Sequence, residues 1–491
     1  MTLPVEIYSV AGVRNIDQAA IRDAGISGYT LMTRAGQAAL EAILAHFPSA
    51  RRWQVICGSG NNGGDGYVVA RLAAEQGIAV SVLAMTPVDK LAGDAATACM
   101  DFAATGGVAT EFDGALDDQA ELLVDGLLGS GLVRNVEGRF AAVVDAMNEH
   151  PAPVVALDMP SGIHGDSGAV MGNAVRADLT VTFAGLKSGL FLDAGPDYAA
   201  NVVFSGLGIP PRCRSPEQAI LRRIDDRLLA EVLPRRRRGA HKGQFGHVLV
   251  VGGGPGMPGA ARLCGEAALR AGAGLVSIAT NPGHSMFIPA SRPELMCHGV
   301  SSPVELESLI ERANVIAVGP GLGQSDWAIA MLDAVLAANL PIVADADALN
   351  QMAASGTRRD DWILTPHPGE AARLLGIDNL MVQADRPAAL AGIAGKFGGV
   401  AVLKGAGTLV SSADGPPWLC TAGNPGMASA GMGDVLTGII AAFRAQAIES
   451  EPAAAAGVMV HALAGDRAAL GGERGLVASD LIAEIRHWVN P

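Results

Sequence analysis

An apolar run that breaks on clustered glycines and restarts as an amphipathic helix recurs along this chain, and few architectures accept that pattern. The clearest instance is Trp53–Cys57 followed by GSGNNGGDGYVVAR at 58–71. Short continuous apolar stretches mark strands buried on both faces of a parallel sheet, and the tight turns that follow them favour glycine. Runs at 79–85, 122–125, 153–158 and 179–183 repeat the pattern, and Leu31, Ala35, Ala39, Ile43 and Phe47 precede it at helical spacing. Together they predict a doubly wound α/β sheet. Periodicity is lost at 206–218, GLGIPPRCRSPEQ, where Gly and Pro gather. A second α/β series then begins at His247–Val251 and continues near 275–279, 314–318, 341–345, 362–365 and 399–403. A hairpin of TLVSS and PWLCT around ADGP follows, then helices at 434–447, 455–470 and 479–489. A chain of 491 residues suits two domains, drawn here as 1–215 and 225–491 with a linker at 216–224.

Composition excludes several classes of function. The formal charge of −14 disfavours non-specific binding to nucleic acid, so bound phosphates belong in local pockets. Six scattered cysteines include no Cys-x-x-Cys pair and read as reduced thiols. Glu6, Arg14, Asp17, Arg22 and Asp23 interrupt any signal-peptide core. No apolar run reaches the roughly 18 residues that cross a bilayer, so a cytoplasmic protein is expected. The basic run Arg235–Arg238 reads as a solvated loop, with an anion-facing patch as the alternative.

In the first half, Asn61, Asn62 and Asp65 crowd among glycines at a strand-to-helix junction, where free N–H groups and close backbone approach favour a phosphate-bearing ligand. Asp125 opens DGLLGSGL and Asp158 opens DMPSGIHGDSG, each at the carboxyl end of a strand, where such sheets place their ligands. Asp158 before Pro-Ser-Gly is also a good turn former. Oxygens of Asn62, Asp125 and Ser161 suit a hard cation, a monovalent one included.

These three segments resemble the NAD(P)H-hydrate epimerase domain, a Rossmann-like family, over essentially residues 1–215. The resemblance implies substrate contacts at Asn61, Asn62, Gly63, Gly64 and Asp65. It implies further contacts at Gly129, Ser130, Gly131, Leu132, Val133, Arg134 and Asn135, and at Asp158. It also implies potassium ligands at Asn62, Asp125 and Ser161. Gly126 and Ser130 stand where the family pattern has Ala and Thr. The hydrated ring carbon of such a substrate is a hemiaminal, whose nitrogen expels hydroxide to leave a planar carbon open to water from either face. Asp158 is the expected acid/base.

In the second half the strongest signal is GNPGMASAGMGDVLTG, 423–438. Its glycines bare N–H groups at a helix start, which favours transferring phosphoryl oxygens, and Asp434 in the first turn can accept the proton of an attacking hydroxyl. Its partners are VLKGAGT at 402–408, GPGLG at 319–323, His367 in TPHPGE, and Asp345 with Asp347 in VADADALN, of which one is expected to orient magnesium or a nearby group and at least one to cap its helix.

Together these resemble the ribokinase-like superfamily over about 225–491. HKGQFGHVLVVGGG, GMPGAARL and NPGMASAGMGD resemble, within it, ADP-dependent NAD(P)H-hydrate dehydratase. The resemblance implies substrate contacts at Ala260, Gly321, His367 and Asp434. It implies nucleotide contacts at Lys404, Gly405, Ala406, Gly407, Thr408 and Gly433, with ADP and Mg2+ as cofactors beside K+, and a homo-oligomer. Two other readings stay open: a small-molecule kinase of hydroxymethylpyrimidine or thiazole type with a regulatory first domain, or a first domain that only senses nucleotides. No residue read physically selects ADP over ATP.

Overall fold

The computed structural model describes residues 3–214 and 219–490. The chain divides into two compact units between Arg222 and Arg223.

The parallel sheet of the first unit has seven strands, β1 (Arg52–Cys57), β2 (Ala79–Ala84), β3 (Ala109–Glu111), β4 (Leu122–Gly126), β5 (Val154–Leu157), β6 (Leu179–Phe183) and β7 (Asn201–Ser205). They lie in the order β3-β2-β1-β4-β5-β6-β7, and every pairing is parallel. The strand order reverses between β1 and β4, where Cys57 pairs with Gly126. Alternation along the strands feeds two cores. Val55, Cys57, Leu122 and Val124 face a layer containing Ile16, Leu40 and Val68, whereas Ile56 and Leu123 face Val143, Val144 and Met147.

The sequence reading leaves residues 1–30 without an element, yet a helix runs Val10–Ala24. Ser9 caps it by accepting from Gly12 N, and Val10, Val13, Ile16 and Ala20 are its buried stripe. The expected loop at 58–65 is also shorter than predicted, because the helix already begins at Asn61. A Cβ on Gly63 would lie 2.1 Å from Gly58 O, so glycine lets the first helical turn close onto the strand end. Residues 216–218 of the expected linker lie outside the described residues. Within it, Leu221–Arg223 form a strand antiparallel to Glu6–Tyr8.

The second unit's strands are β8 (His247–Val251), β9 (Leu275–Thr280), β10 (Met296–Gly299), β11 (Val315–Val318), β12 (Ile342–Ala344), β13 (Trp362–Leu364), β14 (Val400–Leu403), β15 (Thr408–Val410) and β16 (Trp418–Cys420). Their order is β10-β9-β8-β11-β12-β13-β14-β15-β16, parallel up to β14 and antiparallel beyond. The helix Ser450–Ala468 starts earlier than the alanine run suggested, because Pro452 sits in its first turn, where no N–H is needed. Arg236, within the basic run, is pinned: it stacks 3.7 Å from the Phe245 ring centroid and donates to Gly272 O at 2.6 Å. All six cysteines are free, and among the described residues no helix is long and apolar enough to cross a membrane.

Helices Pro258–Arg270 and Met432–Ala445 cross closely at Gly438, where a Cβ would lie 2.1 Å from Cys264 O. That contact is backbone, so it cannot rotate away. Gly438→Ala is expected to lose about 1–3 kcal/mol of stability. Gly395→Ala, at an open helical position with nothing within 4 Å, is expected to gain about 0.5–1 kcal/mol. Thermal midpoints of the two variants should move in opposite directions.

Candidate active sites

The switch point of the first sheet opens into a cavity of about 630 Å³. Its lining includes Asn61, Asn62, Asp65, Asp158 and the stretch Gly129–Arg134. Of the residues expected to touch substrate, Gly63, Gly64 and Asn135 do not line it. The two glycines are buried beneath the helix start, and Asn135 is exposed.

Behind the cavity, Asp125 is fully buried and accepts from Leu127 N at 3.1 Å, Ser161 N at 2.8 Å and Ser161 Oγ at 2.6 Å. Burial pushes its pKa up to about 6 against the pull of those hydrogen bonds. Asn62 donates to Leu128 O at 2.9 Å, while its buried Oδ1 has no hydrogen-bond partner. Three hard oxygens with one left unsatisfied in the interior make a donor set that fits a monovalent cation.

Asp158 sits at the end of β5 with φ of 65°, a left-handed conformation unusual for a side-chain-bearing residue. Its carboxylate is held by Lys187 rather than by the turn that follows it. Lys187 is almost wholly buried, and its ammonium also donates to Phe183 O at 2.9 Å and Thr182 Oγ1 at 3.1 Å. All three of its protons are thereby used. Sequence reasoning missed Lys187, as well as Asp17 and Arg14, which line the same cavity from the helix Val10–Ala24. Their spacing with Val10 and Val13 on one helical face was the available signal.

In the second unit, Gly431 starts the helix Met432–Ala445 in a left-handed conformation, which places Asp434 in its first turn. Asp434 caps nothing: the helix has no side-chain cap. Lys404, at the end of β14, bonds Asp345 at 2.6 Å and lies 3.8 Å from Glu370. Asp345 also accepts from Thr437 Oγ1 at 2.8 Å. A Cβ on Gly433 would lie 3.2 Å from Lys404 Nζ, so the helix start and the lysine meet.

The electrostatic consequence differs by residue. Burial would raise Asp345, but Lys404 outweighs it and holds the carboxyl below its usual range. Asp434 is pushed up to about 7, first by burial and then by Asp345, with Lys404 opposing. A base near neutrality at a helix N-terminus is the group that phosphoryl transfer needs.

At least one of Asp345 and Asp347 was expected to cap its helix; Asp345 does stand at the N-cap position of Ala346–Ser355, but its side chain makes no capping bond. Asp345 is drawn instead to Lys404, and Asp347 accepts from Gly323 N at 2.8 Å. His367 is the N-cap of Pro368–Leu375, with Nδ1 accepting from Gly369 N at 3.0 Å and Glu370 N at 3.3 Å. Ala260 and Gly321 meet: a Cβ on Gly321 would lie 3.0 Å from Ala260 Cβ. The turn Gly405, Ala406, Gly407 is braced from beneath by Arg386, which donates to Gly407 O at 3.1 Å and leads into Thr408 on β15. Arg386 was not anticipated.

Fold and sites together define a class: a Rossmann-like unit and a ribokinase-like unit, each with its site at the carboxyl ends of parallel strands. The profile described as YjeF-related protein N-terminus matches residues 28–189, and that of NAD(P)H-hydrate dehydratase matches 248–487. The chain is 47% identical to the bifunctional NAD(P)H-hydrate repair enzyme of Coxiella burnetii, covering 99% of each protein. Its identity to the enzyme of that name from Escherichia coli K12 is 41%, over 100% of this chain and 95% of the other. Among solved structures, a ribokinase-like superfamily protein of Enterococcus faecalis V583 is similar at TM-score 0.52 and 31% identity, over 55% of this chain and 95% of that one. The chain belongs to the bifunctional NAD(P)H-hydrate repair enzyme family.

The Asp434 carboxyl is expected to titrate near 7 by carbon-13 NMR of labelled aspartate. Because Asp345 raises it and Lys404 lowers it, Asp345→Asn should move that titration to lower pH by removing a negative neighbour and freeing the ammonium.

Proposed function

We propose that this chain repairs hydrated NADH and NADPH, with residues 1–215 interconverting the R and S epimers and residues 225–491 dehydrating the S epimer at the expense of ADP. What carries the reading is a helix-start carboxyl poised near neutrality at Asp434, beside Lys404, in a chain related over its whole length to enzymes of that name. The vitamin-precursor kinase reading leaves the first unit's cavity and carboxylates without a role.

In the second unit, Asp434 accepts the proton of the ring hydroxyl as that oxygen attacks the terminal phosphorus of ADP, and AMP departs. The ring nitrogen then expels phosphate, and loss of the neighbouring carbon-bound proton restores the double bond. Lys404 and the turn Gly405–Thr408, with Gly433, hold the nucleotide. Ala260, Gly321 and His367 hold the ring. Among the described residues no group of three or more His, Cys, Asp or Glu forms a metal site, and Asp345 is committed to Lys404 and Thr437. That suits Mg2+ carried on the phosphates, where it neutralises their charge. Asp434→Asn is expected to cut ADP-dependent recovery of reduced-nicotinamide absorbance by about 10²–10⁴-fold. Epimer exchange, followed by chromatography, should persist in that variant.

In the first unit, Asp158 moves the proton of the leaving or arriving water, and Lys187 fixes its carboxylate. Asn61, Asn62, Asp65 and the stretch Gly129–Arg134 grip the dinucleotide. Asn62, Asp125 and Ser161 would hold K+, whose positive charge offsets the buried Asp125 and stiffens the loops around the diphosphate. K+ is expected to raise the thermal midpoint relative to Li+ at equal ionic strength. Asn62→Ala should abolish that difference, a readout independent of activity.

A further inference from the structure

We propose that Asp17 is a second acid/base group of the first site, serving one face of the substrate ring while Asp158 serves the other. This rests on the epimerase reading and deepens it.

Asp17 stands apart from the glycine-rich strand ends, on the helix Val10–Ala24 and outside the residues 28–189 matched by the family profile. That helix turns Val10, Val13, Arg14, Asp17 and Ile21 toward the cavity. Asp158 reaches the same cavity from the end of β5, so the two carboxyls approach it from different elements. Burial pushes Asp17 up to about 6, with Lys187 pulling it down and Asp158 pushing it further up. Asp65, between them electrostatically, is raised by burial, Asp158 and Asp17. Lys187 makes its hydrogen bonds to Asp158, Thr182 and Phe183, and acts on Asp17 and Asp65 only through its charge. Asp17 and Asp65 thus hold a proton more readily than ordinary carboxyls, while Asp158 is paired with Lys187. The group does not form a metal site.

Epimerisation demands such a pair. The carbon–oxygen bond breaks on one face, the departing oxygen takes a proton from the carboxylic acid on that side, and the ring nitrogen's lone pair forms the C=N bond. Water then adds to the opposite face and gives its proton to the carboxylate there. One proton has passed between the two carboxyls, leaving the site ready for the reverse reaction. A single carboxyl could serve both faces only if the ring turned over within the site.

The test is inversion and oxygen exchange in H2¹⁸O, measured by mass spectrometry of the separated epimers, on the full chain. Wild type should invert and label both epimers; if it does neither, the epimerase reading itself fails. Asp17→Asn should lose inversion by about 100-fold, while still exchanging ¹⁸O into one epimer with retention. Asp158→Asn should exchange into the other. Asp17→Glu should restore part of the inversion. Equal loss of exchange from both epimers in Asp17→Asn, or undiminished inversion, would overturn the proposal. ADP-dependent dehydration of the S epimer and the K+-dependent thermal shift report that the variants are folded.

Discussion

Both sites depend on backbone approaching backbone at the carboxyl ends of parallel strands. A Cβ on Gly58 would stand 1.9 Å from Leu127 O, and one on Gly319 would stand 1.8 Å from Asp345 O. Only glycine permits these approaches, and each joins the two strands on either side of a ligand crevice. With Gly58 against the segment after β4, Asn62 reaches Leu128 O, and Asp125 and Ser161 share one hydrogen-bonded knot. With Gly319 against the end of β12, Asp345 is fixed where Lys404 and Thr437 converge on it. The chemistry follows from which carbonyls the glycines let touch.

Within that frame each site buries more negative charge than one lysine can answer, and the two lysines are used differently. Lys404 is committed to Asp345, which lies below its ordinary range, and Asp434 is left near neutrality. A phosphoryl acceptor needs such a base, since a carboxyl that stays ionised through the acid range holds a transferred proton weakly. Lys187 is committed to Asp158, so the unpaired burden falls on Asp17 and Asp65. Burial of a carboxyl is unfavourable unless it is paired, so the carboxyls left without a lysine are the ones whose pKa rises.

Most of the architecture was legible because parallel strands buried on both faces write themselves as unbroken apolar runs. The two edge strands Asn201–Ser205 and Met296–Gly299 are half exposed, carry polar residues and gave no such run. The helix Val10–Ala24 escaped for another reason: its charges at Arg14, Asp17, Arg22 and Asp23 drew attention to what the segment is not. The stripe of Val10, Val13, Ile16 and Ala20 was there to be read. Site residues set in glycine-rich turns were visible from their odd local composition. Lys187, Asp17 and Arg386 were not, because each acts across the fold from a segment with no unusual composition of its own. Their significance lies in distance, which only the folded chain supplies.

The glycine turns and the lone charged residues thus divide the work. Turns such as GSGNNGGDG and GMGD offer N–H groups and tolerate many phosphate-bearing ligands, which is why similar turns recur in unrelated α/β proteins. What distinguishes one such turn from another is the environment of the carboxyl beside it, which burial and partners elsewhere in the sequence shape together. Asp434 in the first turn of its helix is raised first by its burial and then by Asp345, which lies on a different strand end and repels its charge. Asp158 would be a turn residue without Lys187, which comes from beyond β6. Reaction type is therefore encoded less in the motif than in the residue that the sheet topology brings to meet it.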